Sequence, residues 1–178
     1  RDYCAFIVGG MANNGMLYVR HAHKERMDAM QIIDMIFLLY KKYPADAVVM
    51  ETGMIEKAIG PFLKQEMMRR GVFLPLLTFA SNTDKPQRAR SIQARMRAGG
   101  VKFDKRKLWY VELEQEMLRF PKDIHDDQVD AMALLGQTLD RMMEAPTNKE
   151  IENEDWLESN EKFFEFEMNQ GKNVMTGY

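Results

Sequence analysis

An acidic run heads an apolar helical pattern in this chain: His125-Asp126-Asp127-Gln128-Val129-Asp130-Ala131, following Phe120-Pro121, with Val129, Met132, Leu134, Leu135 and Leu139 setting the apolar period. On a helix Asp127 and Asp130 are i and i+3, and Asp126 and Asp130 are i and i+4. At least two carboxylates therefore share one face, about one turn apart. Like charges that close repel unless they cap a helix or share a cation, and a hard divalent metal is the usual cation for an all-carboxylate site. Capping accounts for Asp126 or Asp127, because free N–H groups and the macrodipole stabilise negative charge in a first turn. It does not account for Asp130, which falls among apolar residues on a helix expected to be mostly buried, where an unpaired carboxylate is costly.

A second acid adds to this picture. Ala47-Val48-Val49-Met50-Glu51-Thr52-Gly53 reads as a buried parallel strand, short, apolar and rich in β-branched residues, with a charge at its C-terminal end. Ligands of open α/β sheets bind beyond the carboxyl ends of the strands, where Glu51 is expected. Alone, such a Glu is commonly a surface residue. With the Asp run it forms a carboxylate set of the kind used in two-metal phosphoryl transfer.

The charge distribution fits a polyanionic partner. The net charge is −2 over 178 residues, but residues 84–107 hold nine basic residues (Lys85, Arg88, Arg90, Arg95, Arg97, Lys102, Lys105, Arg106, Lys107) against Asp84 and Asp104, a net +7. Residues 144–178 hold nine acids against three lysines, a net −6, which leaves +4 on residues 1–143. A basic stretch beside a carboxylate cluster points to nucleic acid and metal chemistry, although some of these cations are expected to be a solvated helix face. No apolar run approaches the ~18 residues of a membrane helix, and the first residues carry no signal-peptide pattern. The single cysteine, Cys4, excludes a disulfide framework and suits a reducing compartment. The sixteen methionines read as core filler.

Along the chain, Tyr3–Gly9 and Met16–His21 read as strands joined by the turn Asn13-Asn14-Gly15. Glu25–Tyr43 reads as a helix, with Met30, Ile33, Ile36, Phe37 and Tyr40 along one side and Pro44 just beyond. The strand ending at Glu51 follows, then a helix over Ile55–Arg70 closed by Gly71, a strand over Val72–Phe79, a loop ending at Pro86, a basic helix over Pro86–Ala98, a short extended piece over Val101–Phe103, a helix over Leu108–Phe120 and a last helix over Asp126–Met143. From about residue 145 the chain turns acidic and aromatic without a clean period, as expected of a partly disordered tail or a partner-binding peptide. The expected division is thus a domain over 1–143 and an acidic tail over 144–178.

This order, with an acid at a strand end and acids on the last helix, resembles the ribonuclease H-like nucleases, and more closely the C-terminal nuclease domain of phage terminase large subunits. The residues that carry the resemblance are Asp2-Tyr3, Val48-Val49-Met50-Glu51, Lys85-Pro86-Gln87-Arg88-Ala89-Arg90, Gly99-Gly100-Val101, Glu114 through Phe120-Pro121, and His125 through Ala131, over roughly residues 1–140. The resemblance implies a mixed α/β sheet flanked by helices and a Mg²⁺- or Mn²⁺-dependent endonuclease cutting concatemeric double-stranded viral DNA, with a two-ion site. Carried over, Glu51 matches the second acid and Asp127 the third, with Asp126 its alternative and Asp130 an auxiliary ligand or base-orienting group; these are the expected catalytic and metal-binding residues. His125 is a possible auxiliary group that shapes the loop or contacts phosphate. Lys85, Arg88 and Arg95 are the candidate DNA contacts, Arg88 and Arg95 being seven apart and so expected on one helix face. The implied partners are DNA, a portal protein or procapsid and the terminase small subunit, with no membrane, in the host cell cytoplasm.

The family's first acid lies on a central strand that this sequence does not display. Either that strand lies upstream of Arg1, the favoured expectation, or Asp2 substitutes for its acid. There is no G-x-x-x-x-G-K-[ST] run, so the family's ATPase is not expected in this chain, which looks like the C-terminal portion of a longer polypeptide. Two other readings compete: a junction resolvase-like nuclease, which would prefer branched DNA, and a non-catalytic portal- or capsid-binding fragment, which would bind no metal.

Overall fold

Leu17 and Val19 point inward on the second strand, Tyr18 and Arg20 outward, and then the alternation breaks: the next inward residues are Ala22 and Lys24. The cause is a bulge. Strands β1 (Cys4–Met11) and β2 (Leu17–Glu25) pair antiparallel, with Gly9 opposite Val19 but Val8 opposite His21, so Arg20 falls out of register and the facing of every later residue inverts. Strand β5 (Val101–Phe103) pairs parallel to β2 and completes a three-stranded sheet in the order β1-β2-β5.

The computed structural model describes residues 3–80, 84–122 and 126–144. Beside the strands above it has helix α1 (Ala29–Lys42), strand β3 (Val48–Thr52), helix α2 (Met54–Arg70), strand β4 (Leu76–Ala80), the short helices α3 (Lys85–Arg88) and α4 (Arg90–Arg97), and the longer helices α5 (Leu108–Arg119) and α6 (Asp127–Glu144). Strands β3 and β4 pair parallel in a separate two-stranded sheet, Glu51 lying opposite Phe79. The fold class is the expected mixed α/β, with sheets flanked by helices. The chain parts into two units, residues 1–140 and 141–178. Of the expected acidic tail, residues 144–178, Glu144 ends α6 and residues 145–178 lie outside the described residues.

Two apolar clusters hold the first unit. One joins Leu17, Val19 and Ala22 of β2 to Ile92 of α4, Leu113 of α5, and Met132 and Leu139 of α6. The other joins Ile32, Ile33, Ile36 and Phe37 of α1 to Ile59 and Leu63 of α2 and to Leu74. Helix α6 packs closest at two glycines, Gly9 on β1 and its own Gly136. A Cβ on Gly9 would lie 2.6 Å from a Leu135 methyl, and one on Gly136 would lie 3.0 Å from the Ile92 backbone nitrogen.

Several boundaries differ from expectation, each for a local reason. Helix α1 starts at Ala29, because Asp28 forms a capping box: its carboxylate accepts from Gln31 N at 2.9 Å and its N–H donates to Gln31 Oε1 at 2.8 Å. Strand β2 therefore runs on to Glu25. Strand β4 begins only at Leu76: Pro75 has no N–H to give a ladder, and its carbonyl instead accepts from Val48 N at 2.8 Å. The expected basic helix over 86–98 is broken at buried Ala89, so Arg88 and Arg95 belong to different helices. Strand β3 is half-buried to exposed rather than buried, because one of its flanks opens on a cleft.

That cleft has a volume of about 380 Å³ and is bounded by residues 3–9 along β1 and 47–51 along β3. Among the described residues β1 pairs only with β2, and β3 only with β4.

Because a methyl at position 136 would press on backbone, Gly136→Ala is expected to lower stability. Overpacking costs about 1–3 kcal/mol, more than the ~1 kcal/mol that alanine gains over glycine in a helix. Gly10→Ala, at an exposed position of β1 where an added Cβ meets nothing within 4 Å, should instead be neutral or stabilising. Urea midpoints of the two variants check the contrast.

Candidate active site

Glu51 is the fourth residue of β3, at the carboxyl end that this strand shares with its parallel neighbour β4. Asp127 and Asp130 lie in the first turn of α6, the helix that begins next to Asp126. All three carboxylate-bearing residues line the cleft between β1 and β3. Asp126 does not line it; it is buried, and its carbonyl accepts the Asp130 N–H at 2.9 Å, so its backbone stands where a helix cap stands. His125 and Asp2 lie outside the described residues.

A guanidinium joins the two halves of this set. Arg88, with only 14% of its side chain exposed, donates from Nη1 to Glu51 Oε1 at 3.0 Å and from Nη2 to Asp130 Oδ1 at 3.3 Å. Its Nε is buried with no hydrogen-bond partner among the described residues. One cation thus sits between two carboxylates that are 79 residues apart in sequence. This is a use of Arg88 that its position in a basic run does not reveal.

The second cation is Lys24. Inward-facing because of the β2 bulge, its Nζ lies 2.8 Å from Glu116 Oε2 and 3.8 Å from Asp127 Oδ2, with 9% of the side chain exposed. Burial works against the ammonium, but the hydrogen bond and charge of Glu116, with the charges of Asp127 and Glu112, outweigh it and raise its pKa. Glu116 is itself 5% exposed, and its other oxygen accepts the backbone N–H groups of Gln128 at 2.6 Å and Val129 at 3.2 Å. Gln128 Nε2 adds a contact to Oε2 at 3.2 Å. A carboxylate on α5 therefore satisfies the free N–H groups at the head of α6 and complements its dipole.

Lys24 and Glu116 were not singled out from the sequence. The readable signal for Glu116 was an acid on the apolar face of α5, three residues after buried Leu113 and six after buried Tyr110. Lys24 had no comparable signal, since the bulge that turns it inward depends on pairing with β1. The candidate DNA contacts fare unevenly. Lys85 begins α3, Arg88 is held by the two acids, and Arg95 donates to Asp140 on α6 at 2.9 Å. Arg90 and Arg97, at the two ends of α4 and seven apart on one continuous helix, are exposed.

The donor set suits a hard divalent cation in chemistry, being all carboxylate oxygen, and the Glu51–Asp130 pair already converges on a positive charge, the Arg88 guanidinium. Among the described residues, no three Asp, Glu, His or Cys are grouped closely enough to hold a metal ion, and Asp127 Oδ2 lies 3.8 Å from Lys24 Nζ. Glu51 and Asp130 are thus the residues arranged about a cation, with Asp127 one helical turn away on the same cleft.

Removing the guanidinium would take a charge-assisted partner from each of these two acids. Arg88→Ala is expected to cost about 1–3 kcal/mol in urea unfolding, chiefly through Asp130, since Glu51 is half-exposed and screened by solvent. An unchanged midpoint would mean that solvent serves the carboxylates as well as Arg88 does.

Among the described residues no helix is long and apolar enough to cross a membrane. A search of curated proteins found no match. Residues 1–136 match the family model described as the terminase RNaseH-like domain. That span takes in both sheets, the basic helices and the first part of α6 with its acids. The chain belongs to the terminase RNaseH-like domain family, and is a terminase nuclease-type domain.

Proposed function

We propose that this chain is a metal-dependent endodeoxyribonuclease that cuts concatemeric double-stranded DNA during viral genome packaging. The observation that carries the reading is the meeting of Glu51 and Asp130 on one cation at the edge of a cleft that Asp127 also lines. Glu51, Asp127 and Asp130 would hold Mg²⁺ or Mn²⁺ as a two-ion site, with Asp126 the alternative to Asp127. Such ions supply Lewis-acid chemistry that activates a water and neutralises the departing 3′ oxygen.

The chain's own residues do the positioning. Glu116 and the packing at Gly136 seat α6, so its two cleft-lining acids are held on a rigid helix opposite Glu51. Arg88, once exchanged from the carboxylates, has a scissile phosphate as its natural acceptor. Lys85, Arg90 and Arg97 hold the flanking phosphates, and Arg95 joins them where phosphate displaces Asp140. These contacts set the register of the duplex without reading bases, which suits an enzyme that trims long DNA with little sequence preference. Family membership supports DNA, a portal protein or procapsid and the small subunit as partners, and the host cytoplasm as the place of action.

Nicking of supercoiled plasmid by the full chain in Mn²⁺ tests the reading. Glu51→Ala and Asp127→Ala are each expected to abolish cleavage while the circular dichroism spectrum is retained. A folded chain that retains cleavage in both variants would refute the assignment of the acids. The basic helix has its own readout: Arg90→Ala with Arg97→Ala should flatten the salt dependence of DNA affinity by about two units of log–log slope, about one per lost phosphate contact. An unaltered slope would make α4 a solvated face only.

A further inference from the structure

Lys24 has two acids within reach, one of which the nuclease reading uses and one of which it does not. Its ammonium is 2.8 Å from Glu116 and 3.8 Å from Asp127, and its other flank lies over the Tyr3 ring, 5.0 Å from the centroid. Glu116 holds four donors: Lys24 Nζ, Gln128 Nε2 and the backbone N–H groups of Gln128 and Val129. The arrangement is asymmetric. The closer, shorter and more buried contact belongs to the acid that faces away from the cleft, and the longer one to the acid that lines it.

We propose that Glu116 is a positioning residue that takes the hydrogen bond of Lys24, leaving the ammonium at the longer 3.8 Å from Asp127, and so keeps the Asp127 carboxylate able to take a divalent cation. This rests on the nuclease reading above and deepens it. A buried ammonium with no partner is costly, so Lys24 must engage an acid. Within the bulged strand the acids it meets are Glu116 and Asp127, with Glu112 adding charge from farther off. If Glu116 were neutral, the nearest carboxylate for Lys24 would be the one a metal needs. The same Glu116 also fixes the first turn of α6 through two backbone N–H groups, so its charge and its hydrogen-bonding geometry have separable effects.

Glu116→Gln separates them. The amide oxygen still accepts from the N–H groups of Gln128 and Val129, while the amide nitrogen cannot accept from Lys24. By isothermal titration of the full chain with Mn²⁺, Glu116→Gln is expected to weaken binding by about tenfold, within the range seen when the groups that orient metal ligands are removed. The half-saturating Mn²⁺ for plasmid nicking should rise by the same factor, with the maximal rate largely recovered at saturating metal. Adding Lys24→Met to Glu116→Gln should restore Mn²⁺ affinity, because the competing ammonium is gone. Lys24→Met alone, which leaves an extra negative charge near Asp127, should tighten Mn²⁺ binding, and it serves as the test should Glu116→Gln fail to fold. Mn²⁺ affinity unchanged in folded Glu116→Gln, weakened affinity that Lys24→Met does not rescue, or weakened affinity in Lys24→Met alone would each overturn the proposal. Failure of the parent reading looks different: the wild-type chain would bind no Mn²⁺, or Asp127→Asn would bind it as well as wild type.

Discussion

A buried carboxylate needs nearly all of its lone pairs occupied, and Glu116 meets that condition by drawing in α6, β2 and its own helix α5. The head of α6 in turn needs acceptors for N–H groups that no helical turn can satisfy. Each need answers the other. The consequence is that the start of α6 is set by an ionic and hydrogen-bonded contact to α5, while the rest of the helix is set by apolar packing on Leu17, Ile92 and Leu113. Polar contacts of this kind are directional where apolar ones are not, so the head of the helix, with Asp127 and Asp130, is oriented more tightly than hydrophobic contact alone would orient it.

Much of this was legible in the sequence. The spacing of Asp127 and Asp130 put both on one helical face, and the apolar run before Glu51 put that residue at a strand's carboxyl end; both placements hold. These are local consequences of periods of 3.6 and 2, which the chain carries within a few residues. What could not be read was pairing between distant segments. Nothing near Arg88 says that its guanidinium will lie between Glu51 and Asp130 rather than in solvent. The facing of Lys24 is set by the out-of-register Arg20, a property of two strands together. The break at Ala89 undid the inference that residues seven apart share a face, because that inference assumes one unbroken helix.

The basic stretch is a similar case. Its charge excess is real, but charge is not availability. Arg88 and Arg95 are engaged by acids of the same chain, namely Glu51 and Asp130, and Asp140, whereas Arg106 pairs with Asp104 but stays 90% exposed. Arg90, Arg97, Lys102 and Lys107 are exposed, so the surface that a polyanion meets is smaller than the sequence count and shifted along α4 and toward β5.

The two apolar clusters give the acids different foundations. Glu51 stands at the end of a strand whose Val48 and Met50 pack on the α1–α2 cluster, whereas Asp130 stands on a helix whose Met132 and Leu139 belong to the other. Between them lie the cleft and one arginine. The separation of the two carboxylates is therefore a gauge of how one core is set against the other. A methyl group lost from either interior, far from any charge, is a change in the span that Arg88 bridges.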